Sequence, residues 1–287
     1  MWRSSLFLLF SFNLLAFKFW SDQVREGNSE IVAQLAAMKI IPLSEGSFTI
    51  DKTKLFVPFD ESKDELQERA RGSLLVEVQP FVLITPNDKL LLDTGLGFSK
   101  NGKMQIHHNM LAAGIGPDEI TKVLLTHLHK DHAGGVSEDS DHNRLSFPNA
   151  TYYIQERELN FALEKGMPSF IPGELTALKN SPNVVLLKSD SGKIEDSISY
   201  EVTGAHSPYH QVFWITDEGE TIFFGGDDAP QLQQMKHRFV AKYDFDGKKA
   251  MELRRYWWQQ GREENWTFLF YHDIKTPVFK NSNIAVE

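Results

Sequence analysis

Four side chains that commonly bind metals lie within six positions of this sequence, at His127, His129, Asp131 and His132. Side chains alternate along an extended segment, so the H-x-H spacing places the rings of His127 and His129 on the same face. Neutral imidazole nitrogens and carboxylate oxygens are typical ligands of zinc and related metals. A polar cluster on the surface is the alternative, but four such ligands so close together favour a metal site.

The elements around this cluster must hold it in place. The apolar run Val123, Leu124 and Leu125 comes directly before it and predicts a buried strand that ends at the ligands. Elsewhere, apolar runs, helical spacing and turn residues predict strands that alternate with helices, and therefore an α/β fold. The predicted strands cover residues 74–84, 90–93, 123–126, 151–154, 200–203, 211–216, 221–224 and 266–270, and the predicted helices cover 104–113, 156–165 and 248–260.

The residues from Thr126 to Gly135 read T-H-L-H-K-D-H-A-G-G and resemble the H-x-H-x-D-H signature of metallo-β-lactamase-fold hydrolases. Three later segments resemble the remaining motifs of that family in the same order, at residues 202–208, 223–227 and 268–272. The resemblance covers the chain from about residue 38 to its end. It implies a four-layer αβ/βα sandwich with metal ions at one edge of the sheets.

The resemblance also implies that seven side chains hold two metal ions and that one carboxylate is shared. The ligands of the first ion would be His127, His129 and His206, those of the second Asp131, His132 and His272, and the shared carboxylate Asp227. Within this set, Asp131 and Asp227 are the expected catalytic carboxylates. The nitrogen-rich ligands favour two zinc ions, although manganese, cobalt or iron could occupy such sites.

A centre of this kind lets a water between the metals lose its proton near neutral pH. The resemblance therefore implies a hydrolase that uses a metal-bridging hydroxide on a small ester, lactone, thioester or phosphoester. Two alternatives remain open, an iron-dependent oxidoreductase and a binding module without catalysis on the same fold. The chain contains no cysteine, which excludes those relatives that bind their second metal through a cysteine.

Two further polar residues are expected to support the ligands. Asp93 ends a predicted strand in the trio D-T-G, and we expect it to orient a ligand histidine. Such imidazoles usually donate their second N–H to a carboxylate or carbonyl. A simple turn aspartate is the alternative interpretation. His210 follows His206 by four positions, and we expect a buried hydrogen-bonding role for it rather than metal contact.

The walls of the substrate pocket are expected in three loops, at residues 101–102, 137–144 and 167–173, where Phe170 and Ile171 could form an apolar wall. Residues 145–150 and the helix after them resemble N-acyl homoserine lactone lactonases and methyl parathion hydrolase. Lactonases of that type carry a tyrosine shortly after the bridging aspartate, whereas Asp227 is followed here by D-A-P-Q. Tyr209 could supply that phenol instead, and lactonase activity is one candidate.

The charge of the chain bears on its partners. It has 30 Lys and Arg against 39 Asp and Glu, a formal net charge of −9, and no basic block. Because a phosphate backbone requires a lysine and arginine footprint, we expect a small-molecule substrate and no nucleic acid. A homodimer is compatible with the sequence.

The first 37 residues are expected to lie outside the catalytic domain, which would span residues 38–287. Residues 6–17 are mostly apolar behind Arg3, like the start of a secretory signal, but no clear cleavage site follows. The apolar stretch is short for a transmembrane helix, so stable membrane insertion is not expected. Two interpretations remain open, an export signal and an extension before a functional start at Met38. A cytoplasmic location is slightly favoured, with export the outcome if residues 1–20 act as a signal.

Overall fold

The computed structural model describes residues 38–138 and 143–280, and the predicted leader or extension at residues 1–37 lies outside this part. In chain order its strands are β1 (Lys39–Pro42), β2 (Gly46–Ile50), β3 (Phe56–Pro58), β4 (Leu74–Val78), β5 (Phe81–Ile84), β6 (Lys89–Leu92), β7 (Ser99–Lys100), β8 (Lys103–Met104), β9 (Lys122–Leu124), β10 (Thr151–Gln155), β11 (Val184–Leu187), β12 (Ser191–Glu195), β13 (Ile198–Val202), β14 (Gln211–Asp217), β15 (Glu220–Phe224), β16 (Thr267–Leu269) and β17 (Val278–Lys280).

The helices confirm the three predicted ones with shifts of at most a few residues. The α-helices are α1 (Gln105–Ala112), α2 (Lys130–Ala133), α3 (Glu156–Lys165), α4 (Thr176–Asn180), α5 (Leu232–Lys236) and α6 (Gly247–Glu263), and single 3₁₀ turns cover Leu66–Glu68, Pro117–Glu119 and Gly226–Asp228. Within the described residues, no helix is long and apolar enough to cross a lipid bilayer.

Two six-stranded sheets form the centre of the fold. The first has the order β1-β5-β6-β9-β10-β11, and its last four strands are parallel. The second has the order β12-β13-β14-β15-β16-β17 and is antiparallel except for the pair β15 and β16. The sheets contact each other through Phe81 and Phe224, whose ring centroids are 6.0 Å apart. The amide side chain of Gln211 adds a polar contact, donating to the carbonyl of Leu125 at 2.8 Å.

Helices cover the outer side of each sheet. Ile106 of α1 and Leu159 of α3 are fully or almost fully buried in the core of the first sheet. Trp257 of α6 packs on the second sheet, with its ring centroid 4.9 Å from that of Phe223 in β15. The layers are thus helix, sheet, sheet and helix, which confirms the predicted αβ/βα sandwich.

The strand predicted at residues 74–84 is in fact two strands that belong to different sheets. β4 joins a three-stranded sheet of order β3-β2-β4, whereas β5 pairs with β1 and β6 in the first large sheet. Pro80 lies at the break, and it has no backbone N–H with which to continue a ladder. The division matters for function because the small sheet stands beside the predicted ligands.

Candidate metal centre

The predicted ligands lie at one edge of the sheets, just after the ends of strands. His127 and His129 follow β9, and Asp131 and His132 belong to the single turn α2. In sheets with parallel strands, ligands commonly bind at the carboxyl ends of those strands. The three later side chains are also loop residues, His206 after β13, Asp227 after β15 and His272 after β16.

The first group of converging atoms contains three imidazoles and a carboxylate. His129 Nδ1 lies 2.9 Å from His127 Nε2 and 3.1 Å from His206 Nε2. Asp227 Oδ2 lies 3.0 Å from His206 Nε2 and 3.9 Å from His127 Nε2. Burial, followed by the neighbouring imidazoles, lowers the pKa of His127 and His129 well below the usual value. Both rings are therefore neutral, which is the form that binds a metal.

The second group contains Asp131, His132 and His272. Asp131 Oδ2 lies 3.7 Å from His132 Nε2 and 3.5 Å from His272 Nε2. The remaining oxygen of Asp227, Oδ1, lies 3.1 Å and 2.9 Å from the same two nitrogens. Asp227 thus stands between the two groups with one oxygen toward each, and the structure brings all seven predicted ligands together.

The charge of Asp227 is held by the histidines around it. Burial alone would raise the pKa of this carboxyl, but His272, His132 and His206 hold it well below its usual range. Gly226, the residue before it, has a φ of +48°. The turn there therefore favours glycine, and it directs the carboxylate at both histidine groups.

The donor atoms fit metal ions. A tetrahedral metal with bonds of about 2.0–2.1 Å to nitrogen holds its ligand atoms about 3.3 Å apart, close to the spacing of 2.9–3.1 Å among the imidazoles of the first group. Within the described residues, His132 Nε2 and Asp227 Oδ1 are buried without a properly oriented hydrogen-bond partner, although they lie 3.1 Å apart. A cation between these atoms would remove the cost of burying them.

Three of the predicted ligand histidines have an oxygen at their second ring nitrogen, on the side away from the other donor atoms. This contact fixes the orientation of the ring and aims the other nitrogen at the metal position. The pairs are His132 Nδ1 with Asp93 Oδ2 at 2.8 Å, His206 Nδ1 with Asp244 Oδ1 at 2.9 Å, and His272 Nδ1 with the Glu77 carbonyl at 2.6 Å. The predicted contact of Asp93 with one of the candidate ligand histidines is observed, whereas Asp244 had no signal in the sequence.

His210 has the buried hydrogen-bonding role that we expected. Its Nε2 accepts a hydrogen bond from the backbone N–H of Asp227 at 3.2 Å, and its Nδ1 lies 3.1 Å from Asp228 Oδ2. Asp228 was not predicted, yet its carboxylate also accepts from the backbone N–H of His206 at 2.7 Å and from the hydroxyl of Thr203. Asp228 therefore ties the His206 loop to the turn that carries Asp227.

Glu158 is a second carboxylate that the sequence did not single out. It lies on the buried face of α3 and is fully inaccessible to solvent. Oε1 accepts from the backbone N–H of Leu128 at 3.2 Å, and Oε2 accepts from the hydroxyl of Ser207 at 2.9 Å. Leu128 separates the two histidines of H-x-H and Ser207 follows His206, so Glu158 joins two segments that carry ligands. A glutamate among apolar residues on one helix face was the only available signal.

An open cavity of about 720 Å³ lies against the ligands. His129, Asp131, His206, Asp227 and His272 all contribute to its lining. Its volume lies within the usual range for small-molecule sites. Much of the remaining wall is apolar and includes Ile50, Phe56, Leu74, Val76, Phe239 and Val240.

The prediction that these three loops form the cavity wall is wrong. Among their described residues, only Ser169 lines the cavity. Phe170 is buried and packs its ring against that of His129 with centroids 4.8 Å apart, so it supports a ligand. The wall is formed instead by residues 50–56, 72–76 and 230–243. The first two segments belong to the small sheet, which the sequence pattern had not separated from the large one.

Tyr209, the candidate for supplying the phenol, does not line the cavity, because its ring packs beside Phe161 and under Arg157. Tyr243 lines the cavity instead, with its ring centroid 6.0 Å from that of His206. Burial raises the pKa of Tyr243 to about 12. The phenol is therefore protonated at neutral pH and available as a hydrogen-bond donor.

A buried carboxyl beside the centre makes the stability of the protein depend on pH. Glu45 Oε1 is inaccessible to solvent and has no hydrogen-bond partner among the described residues, while Oε2 accepts from the Leu96 N–H at 2.7 Å. Burial raises the pKa of Glu45 to about 7, with the Leu96 hydrogen bond opposing the shift and Asp131 adding to it. In the unfolded chain this carboxyl ionises near 4.5. As the pH rises from about 4.5 to about 7, the free energy of unfolding should therefore fall by up to about 3 kcal/mol. Above pH 7 this carboxyl should cause no further loss.

Replacing Glu45 with Gln keeps an oxygen for the Leu96 N–H and removes the ionisation. We expect Glu45→Gln to gain stability over the natural protein at pH 8 and to gain much less at pH 5. Urea unfolding of both proteins at the two pH values measures this difference. An equal effect at pH 5 and pH 8 would contradict the prediction.

Comparison with known proteins gives a family model and several solved structures. The model described as the metallo-β-lactamase superfamily matches residues 76–239. A probable metal-dependent hydrolase from Staphylococcus aureus superposes with a TM-score of 0.71, at 20% identity over 87% of this chain and 94% of its own. AidC, a dizinc quorum-quenching lactonase, superposes with a TM-score of 0.64, at 18% identity over 85% of this chain and 90% of its own. Hydrolase AbOPH of the β-lactamase superfamily superposes with a TM-score of 0.66, at 22% identity over 85% of this chain and 89% of its own. None of the curated proteins matches this chain.

Proposed function

Because the chain belongs to the metallo-β-lactamase superfamily, we propose that it is a metal-dependent hydrolase that holds two metal ions and acts on a small ester, lactone, thioester or phosphoester. The position of Asp227 carries this proposal. Its Oδ2 lies 3.0 Å from His206 Nε2, and its Oδ1 lies 2.9 Å from His272 Nε2. A carboxylate that faces two separate groups of imidazoles suits two ions better than one.

Each ion would have its own ligands and share Asp227. When bound, the two ions supply an acidified water as the nucleophile and polarise the bond under attack. Zinc is the metal that the nitrogen-rich donors favour. The proposed ligands are His127, His129 and His206 for one ion, Asp131, His132 and His272 for the other, and Asp227 for both.

Residues of the cavity would act on the substrate directly. The protonated phenol of Tyr243 lines the same cavity as the ligands and can donate a hydrogen bond to an oxygen that gains negative charge. Phe56, Leu74 and Val240 add apolar surface to the same cavity, against which an apolar part of the substrate can pack. Support for a lactone comes from AidC and from a second lactonase whose solved structure holds N-hexanoyl-L-homoserine at its catalytic metal centre.

The first test is metal content. Protein purified without chelator is expected to contain close to two metal ions per chain, since two-metal hydrolytic sites use both ions on one substrate. Removal of the ions with EDTA should abolish hydrolysis, and zinc, manganese or cobalt should restore it. The measurements are elemental analysis and a panel of chromogenic esters, lactones, thioesters and phosphotriesters.

Two outcomes would contradict the proposal. One is a chain that holds no metal and still hydrolyses its substrate in excess EDTA. The other is an iron-loaded protein that consumes oxygen with a thiol substrate and hydrolyses nothing on the panel, which would favour an oxidoreductase.

A further inference from the structure

The cavity beside the ligands is lined by four lysines that the proposed hydrolytic chemistry does not use. They are Lys52, Lys54, Lys130 and Lys242. Within the described residues, none of the four has an ion-pair partner within 4.0 Å. Four unpaired cations at one cavity are notable in a chain whose formal net charge is −9. Against the three lining carboxylates Asp51, Asp131 and Asp227, the four lysines leave a small positive formal charge, whereas the whole protein is negative.

The carboxylates of the lining offset these lysines only in part: Asp131 acts electrostatically on Lys130, but within the described residues no lining carboxylate forms an ion pair with a lysine of this cavity. Asp51 accepts a hydrogen bond from the backbone N–H of Thr53 at 2.9 Å and is engaged within its own turn. Asp131 and Asp227 face the histidines of the proposed metal centre. Bound metal ions would offset the charge of both, so the positive charge of the cavity would increase further.

The turn between β2 and β3 holds the backbone of Lys54 in a left-handed conformation. Its backbone N–H donates to the carbonyl of Asp51 at 3.0 Å, and its φ is 61°. A residue with a long side chain is uncommon in this left-handed region, where glycine and asparagine are preferred, and it costs free energy there. A lysine at this position is therefore better explained by its charge than by the geometry of the turn.

Lys54 lies close enough to His129 and Lys130 to act electrostatically on both. Lys130 in turn has its ammonium 5.8 Å from the centre of the Phe56 ring, which belongs to the apolar wall. Asp131 and Glu174 also act on Lys130, and of these two only Asp131 lines the cavity. Positive charge, apolar surface and the ligands therefore meet within one cavity of about 720 Å³.

We infer that the substrate is an anionic amphiphile, with an apolar part against Phe56 and Val240 and a carboxylate or phosphate held by Lys54 and Lys242. That the bound molecule is a substrate rests on the proposed function, whereas the binding of such a molecule does not. Cations that lack partners attract an anion, and the attraction is stronger beside a low-dielectric wall than in water. The size of the cavity leaves room for both parts of such a molecule.

The binding test uses the protein as purified, with two probes of equal chain length, 1-octanesulfonate and 1-octanol. Sulfonate is a poor metal ligand, so a preference for it reports on the lysines rather than on the metals. By isothermal titration calorimetry we expect octanesulfonate to bind roughly tenfold more tightly or better, since hydrogen bonds to charged groups are the stronger ones. High salt should reduce this preference.

Variants assign the preference to the lysines. In the double variant Lys54→Gln with Lys242→Gln, the affinity for octanesulfonate should fall roughly tenfold while that for octanol stays unchanged. Lys54→Arg keeps the charge and should keep the preference. Lys249→Gln is the matched control, because Lys249 is an exposed lysine of α6 that does not line the cavity.

Kinetics extend the test to the reaction and to the type of anion. The 4-nitrophenyl monoester of suberic acid and 4-nitrophenyl octanoate have the same chain length and differ in one terminal carboxylate. We expect the anionic ester to have the lower KM, and the double variant to lose that advantage. Competition by octanoate and by octyl phosphate then shows whether a carboxylate or a phosphate is preferred.

Equal binding of the two probes by the natural protein would overturn the inference, as would a preference that survives in the double variant. Binding as expected with no hydrolysis of any ester, lactone or phosphoester would leave the lysine site standing and contradict the proposed function. Hydrolysis of these substrates without any preference for the anionic probe or ester would support the proposed function and contradict the lysine site.

Discussion

Replacing Asp227 with Ala is expected to remove about one metal ion per chain and to lower kcat/KM by roughly a thousandfold, because several kcal/mol of charge stabilisation would be lost. Asp227 faces both histidine groups, with Oδ2 3.0 Å from His206 Nε2 and Oδ1 3.1 Å from His132 Nε2. Among the described residues, Asp227 is the one carboxylate that groups with the histidines of the first group. Asp227→Asn keeps the shape and loses the negative charge, so its effect should lie between those of Ala and the natural residue.

His210→Ala is the matched comparison for Asp227→Ala. His210 touches the backbone of Asp227 and the carboxylate of Asp228, and it is not one of the seven proposed ligands. Its loss should leave both metals bound and cost roughly 10–100-fold at most, as removal of a residue that supports a ligand does. Metal content and kcat/KM are measured for both variants side by side. A His210→Ala protein that sheds metal beside an Asp227→Ala protein that keeps both ions would show that the ligands are wrongly assigned.

Asp93→Asn is expected to weaken metal binding at the His132 group by roughly 10–100-fold and to lower the free energy of unfolding by about 2 kcal/mol. Oδ2 of this fully buried carboxylate lies 2.8 Å from His132 Nδ1 and accepts from the Thr126 hydroxyl, and Oδ1 accepts from the Thr126 N–H at 2.8 Å. Both oxygens therefore face hydrogen-bond donors. In either orientation, the amide of asparagine would turn its own N–H groups toward one of these donors.

Asparagine is a suitable probe because the backbone of Asp93 has a φ of 55°, a conformation that Asn tolerates as well as Asp. The effect then reports on hydrogen bonds rather than on backbone strain. The measurements are zinc titration and urea unfolding of the metal-free protein, with Asp118→Asn as a control at an exposed aspartate. A variant with natural metal affinity would show that Asp93 does not orient His132.

Four of the proposed ligands could be singled out from the sequence by local chemistry and spacing, whereas His206, Asp227 and His272 were implied by the family resemblance. H-x-H and the aspartate and histidine after it occupy six positions, and the later ligands follow apolar runs that end in a loop. The helix predicted at residues 156–165 is observed with the same bounds, since a periodic apolar face and the glycine after it define both ends. The strand pattern failed at Pro80, where one apolar run turned out to serve two sheets.

The supporting carboxylates could not be predicted in the same way. Glu158, Asp228 and Asp244 look like ordinary surface acids in a linear pattern, and only packing shows that Glu158 and Asp228 are fully buried. Each reaches a ligand segment far away in the chain, as Asp244 does with His206. Such contacts depend on which loops the sheets bring together at their edge.

The sequence by itself singled out the four candidate ligands between His127 and His132 and the kinds of element that carry them, because ligand chemistry and hydrophobic periodicity are properties of short segments. The resemblance to a known family added His206, Asp227 and His272. Only the tertiary structure decided that Asp227 has one oxygen toward each histidine group, and that a small sheet with Lys54 forms a cavity wall. The physical reason is distance along the chain. The positions of Lys54, His129 and Asp227 relative to one another follow from the packing of sheets whose strands are far apart in sequence, and no local pattern encodes it.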